Sequence, residues 1–72
     1  VRIKLRMPDA GDIKIDIYDI SGKIIDHIYE TKLTAGWHEL VWRPSVSVPS
    51  GVYLLRVSAG SEAVVRRVVL VR

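Results

Sequence analysis

Apolar and polar residues alternate along most of this chain with a period of two, the repeat of a strand whose successive side chains face opposite ways. Over residues 1–7, Val1, Ile3, Leu5 and Met7 are separated by Arg2, Lys4 and Arg6, which predicts a strand with one buried and one basic face. Over residues 12–20, Ile13, Ile15 and Ile17 point one way, and Lys14, Asp16 and Tyr18 the other. Pro8-Asp9-Ala10-Gly11 between them reads as a turn, since Pro fixes φ, Asp bonds its local backbone and Gly tolerates φ > 0. Asp19 and Gly22 occupy the first and fourth positions of a type I turn, with Gly in the left-handed place of a hairpin bulge. Residues 23–30 return as the partner strand. Their alternation is broken at Ile24, Ile25 and Ile28, and a bulge near Asp26 would restore it.

Residues 31–36 form a polar connection, and residues 37–42 a fourth strand that ends at Arg43-Pro44, because Pro cannot continue a central ladder. A crossover follows, with at most a short edge strand at residues 45–48 and a type I turn at residues 48–51 that has Pro49 in its second place. Residues 52–59 are apolar on both faces, as in a central strand, and residues 63–72 form the last strand after a turn at residues 60–62. No helical period competes. The reading is one all-β domain over residues 1–72, an immunoglobulin-like antiparallel β-sandwich of six to seven strands. Ile15, Ile17, Trp42, Tyr53, Leu55 and Val69 are expected in its core, and Gly22 and Gly51 as backbone requirements.

Composition narrows the picture. The 72-residue chain is 49% hydrophobic and has no cysteine, so packed aliphatic side chains must hold it without disulfides or a Cys-containing zinc site. The net charge of +3 is spread among apolar positions, without the basic cluster and interleaved aromatics of a nucleic-acid reader, so no nucleic-acid partner is expected. The chain opens at Val1 without a signal peptide or an apolar run of membrane-spanning length. The expectation is a segment, the C-terminal part of a larger protein, with no direct membrane insertion. Asn, Gln and Phe are absent, a bias shared with thermophile proteins.

Candidate chemistry is sparse. His27 and His38 fall on different strands with no third ligand at fixed spacing, and Asp9, Asp12, Asp16 and Asp19 do not follow a calcium-loop pattern. Ser21 and Ser50 lie in turns with no neighbouring base. Trp37 and Trp42 are an odd number of residues apart on one strand, so they face opposite ways and cannot build one sugar-stacking platform. No catalytic, cofactor-binding or metal-binding residue is assigned.

The landmarks in order are Met7-Pro8, Ile17-Tyr18-Asp19-Ile20-Ser21-Gly22-Lys23, Ala35-Gly36-Trp37-His38 with Trp42, Pro49-Ser50-Gly51-Val52-Tyr53, and a final run rich in Val and Arg. Together they resemble the immunoglobulin-like C-terminal modules of bacterial secreted proteins, including type IX secretion sorting domains, and the related domain of the flagellar hook-capping protein. Arg43-Pro44 stands where the hook-capping version continues Asp-Gly. The resemblance implies a non-catalytic module of an exported protein, extracellular or at the cell surface, acting in sorting or attachment. Its partners would be the secretion or attachment machinery or the parent protein's other domains. Arg66, Arg67 and Arg72 of the last strand, with Arg2, Lys4 and Arg6 of the first, are the candidate partner-binding residues. The alternative is an accessory structural or carbohydrate-binding domain of a secreted hydrolase.

Overall fold

Each stretch of alternating residues becomes a strand, and no helix forms. The computed structural model describes residues 1–72 as β1 (Arg2–Met7), β2 (Gly11–Tyr18), β3 (Ile24–Leu33), β4 (Gly36–Val41), β5 (Gly51–Ala59) and β6 (Glu62–Leu70). β1 pairs antiparallel with β4 in one sheet, and the other sheet runs β3–β2–β5–β6, antiparallel throughout. The two sheets form a sandwich. Its core takes Ile3, Leu5 and Met7 from β1, Ile13, Ile15 and Ile17 from β2, Tyr53 and Leu55 from β5, Leu70 from β6, and Trp42 just past β4. These are the residues that period two aims inward, and their removal from water is the main favourable term holding the sheets together.

The crossover after β4 closes one end of the sandwich. Trp42 is buried and meets the Tyr53 ring edge-on, with centroids 5.6 Å apart. The Tyr53 hydroxyl donates to the carbonyl of Pro49, so the ring also ties the start of β5 to the crossover. The Trp42 amide donates to the carbonyl of Val1, and the Val1 nitrogen donates back to the Trp42 carbonyl. Trp37 is exposed on the opposite face, as its odd spacing from Trp42 requires.

The first hairpin follows its expected turn chemistry. Gly22 has φ 89° and donates its amide to the Asp19 carbonyl. The Asp19 carboxylate accepts from the Ser21 amide, the Ser21 hydroxyl and the Lys23 amide. The Ser21 hydroxyl first, then the Lys23 amide, hold this carboxyl below its usual range. Two residues beyond Lys23, Ile25 is extra: Ile17 pairs with Asp26 and Tyr18 with Ile24. That is the bulge the three isoleucines demand.

Four expectations are corrected. Val69 is 61% exposed, and Val68 and Leu70 turn inward instead. The cause is register: Val68 lies opposite the buried Tyr53, which puts residue 69 on the outer face. Gly51 is not at positive φ; Gly36 and Gly60 are. Residues 45–48, where at most a short edge strand was expected, form a turn: Val48 N–H donates to the Ser45 carbonyl, and the Ser45 hydroxyl accepts from Ser47 N–H. This displaces the turn expected at residues 48–51. Finally, β3 runs on to Leu33 and β4 begins at Gly36, so only Thr34 and Ala35 of the supposed polar connection lie outside strands.

Candidate partner-binding surface

The side chains that invite a search for catalysis are occupied locally. His27 Nδ1 donates to Asp16 Oδ1 at 2.8 Å on the outer face of the four-stranded sheet, with Lys14 Nζ 3.8 Å from the same oxygen. His38 Nε2 donates to the carbonyl of Thr34 at 2.6 Å. Asp26 Oδ2 accepts from the indole nitrogen of Trp42 at 2.8 Å, while its other oxygen accepts from the His27 amide. Asp12 accepts from the Lys32 amide, and Ser50 from the Arg72 amide. No three His, Asp or Glu side chains converge as metal ligands.

The basic residues of the two terminal strands meet along one side of the molecule. β1 has β4 on one edge only, and β6 has β5 on one edge only, so both present an unpaired edge. Arg2, Ile3 and Lys4 line a groove of about 150 Å³ with Leu55, Arg66, Arg67 and Val68. Arg6 and Arg66 line the next groove along the same seam, about 90 Å³, floored by Leu5, Ile13 and Val57. Arg66 therefore divides one continuous seam between β1 and β6.

Register explains how two adjacent arginines serve two faces. Arg66 pairs with the fully buried Leu55 and shares its side of the sheet, while Arg67 pairs with Leu54 on the other side. Arg66 nonetheless stays exposed. Neither Arg66 nor Arg67 forms an ion pair within the chain. Arg2 pairs loosely with Glu39 at 3.6 Å, and Lys4 lies 5.6 Å from the centre of the Trp37 ring.

Arg72 stands apart from this group. Its guanidinium donates to the carbonyls of Val48, Ser45 and Pro44, the last at 3.3 Å, and thereby fastens the end of the last strand to the crossover. The carboxylates of Asp12 and Asp26, which hold β3 in its irregular register, were not singled out in the sequence for these tasks. Asp26 sits within the broken isoleucine rhythm, which is the one available signal.

The molecule is a two-sheet antiparallel sandwich whose one buried carboxylate, Asp16, is held by His27, and which leaves Arg66 and Arg67 without ion pairs on the open β1–β6 side. The chain belongs to the secretion system C-terminal sorting domain family, whose model matches residues 1–71. This is the type IX sorting domain, which marks proteins for export to the cell surface or the extracellular space and is not a catalytic family. Membership implies a parent protein and an interaction with the secretion machinery. No curated protein matches the chain.

Proposed function

We propose that the β1–β6 side of the sandwich is the surface the secretion machinery recognises, and that the domain acts by binding alone. The observation that carries this is the convergence of Arg2, Lys4, Arg6, Arg66 and Arg67 on one seam between two unpaired strand edges. In a sorting domain with no convergent catalytic group, this seam combines basic side chains with grooves between two open strand edges. Arg72 supports recognition differently, by holding the end of β6 in place through the crossover carbonyls. Attachment of the exported protein at the cell surface belongs to the same reading, as a second use of the same side.

A carbohydrate-binding role has less support. Trp37 is the exposed aromatic best placed to stack on a sugar, and Lys4 already lies against its ring.

The test fuses the domain to a reporter in a host that has the secretion apparatus. Arg66→Glu with Arg67→Glu should abolish export or surface attachment while the purified domain keeps its β-sheet circular dichroism. Adding Arg72→Glu should also loosen the crossover. Normal export of the folded double variant would contradict the proposal.

A further inference from the structure

The free edge of β6 has the form of a strand-pairing site. We infer that it takes up an extended acidic segment of the partner as an additional strand, with two consecutive carboxylate residues set against Arg66 and Arg67 and β-branched residues on either side. This rests on the recognition role proposed for the same side, and specifies its chemistry.

Three observations carry the inference. First, β6 is unbroken: residues 62–70 pair with β5 without a register shift, and the strand contains no proline. A straight edge presents an evenly spaced row of backbone donors and acceptors. Second, Val64, Val65 and Val69 are 53–63% exposed, so each face of the strand offers apolar side chains that a neighbouring strand would cover. Third, the central sequence Val64-Val65-Arg66-Arg67-Val68-Val69 is symmetric. Two copies pairing antiparallel about its centre would set arginine against arginine, and like charges directly opposite oppose pairing. The same arginines favour a strand with carboxylates at those positions. Because Arg66 and Arg67 point to opposite faces, the matching carboxylates must be consecutive in the partner. Lys4 and Arg2 across the seam add to the attraction. In this mode of recognition backbone hydrogen bonds supply affinity and alternate side chains supply specificity.

The experiment titrates the isotope-labelled chain with three capped peptides and follows amide shifts and hydrogen exchange. The probe is Thr-Val-Thr-Glu-Glu-Thr-Val-Thr. One control replaces both glutamates by lysine, and the other replaces both valines by proline, which keeps the charge but removes ladder donors. The glutamate peptide should protect β6 amides and leave β3 unchanged. The lysine peptide should bind about tenfold more weakly or worse, and the proline peptide should give no protection. In Arg66→Glu/Arg67→Glu the preference between glutamate and lysine peptides should invert. Equal binding of the proline peptide, shifts centred away from β6, or self-association of the unaltered chain through β6 would overturn the inference. If export requires Arg66 and Arg67 but no peptide pairs along β6, the recognition surface stands and strand pairing falls.

Discussion

β3 and β6 are the two outer strands of one sheet, ten and nine residues long, and they are finished in different ways. β3 slips register against β2 twice, once at Ile25 and once near its end, where Lys32 takes φ 56°. Asp26 and Asp12 hold those irregularities by accepting backbone amides, and Glu30 and Lys32 are charged and exposed. Bulges and charges of this kind keep an edge from pairing further. β6 has neither bulge nor slip, and valines dominate it. Beyond Glu62 at its start, its guards are Arg66 and Arg67, which repel a second copy and would attract an acidic strand. An edge built to avoid all pairing looks like β3; an edge that selects its partner by charge looks like β6.

The largest effect should come from the core beneath both edges. Leu55 is fully buried, so Leu55→Ala should cost about 2–5 kcal/mol. In a domain this small that threatens folding altogether, and denaturant midpoints would show it. Amides of β3 and β6 should lose exchange protection together; loss confined to β6 would mean the sheet is not one cooperative unit.

Asp26→Ala acts on the β3 edge. It strands the indole N–H of the buried Trp42 and should cost about 1–3 kcal/mol. Tryptophan emission should report the change, and β6 pairing should be untouched. Gly22→Val forces a β-branched residue into φ 89° and should destabilise the β2–β3 hairpin by roughly 1–2 kcal/mol. Arg66→Val with Arg67→Val should change stability by no more than about 0.5 kcal/mol. It removes the repulsion, however, so sedimentation should show self-association, whereas Glu30→Val with Thr31→Val on β3, both exposed, should leave a monomer.

The smallest effect is on pH dependence. The folded pKa of Asp19 is lowered, chiefly by the Ser21 hydroxyl and then the Lys23 amide. Its contribution is therefore fully present above the carboxyl's ordinary pKa and is lost as pH falls through the lower folded value. Exchange at Ser21 and Lys23 amides should quicken over that acidic range before exchange in β6 does. Equal responses of both would remove the carboxylate's role in the turn.

How much of this was legible depends on where the polar residues lie. In β1 and β2 every outward position is polar or aromatic, so the buried face reads off directly as Ile3, Leu5, Met7, Ile13, Ile15 and Ile17. In β6 valine occupies both faces, so the chain alone does not say that residue 68 faces inward; pairing with Tyr53 decides it. The bulge at Ile25 showed because three isoleucines break a rhythm, while the slip near Lys32 did not, since a polar stretch has no rhythm to break. The basic residues of β1 and β6 were visible singly. Their meeting on one seam depends on packing between ends of the chain some sixty residues apart. Arg72 gave no sign of its bonds to the crossover, because those acceptors are backbone carbonyls.

Because the chain has no cysteine, one introduced thiol can carry a photo-crosslinker at a single chosen site. The most direct test places it at Val65 or Val69 on β6, or at Tyr29 on β3, all exposed, and illuminates cells while the domain is being exported. Adducts with the secretion machinery are expected from the β6 positions and none from Tyr29. Adducts of equal yield from β3, or from β3 alone, would contradict recognition through β6.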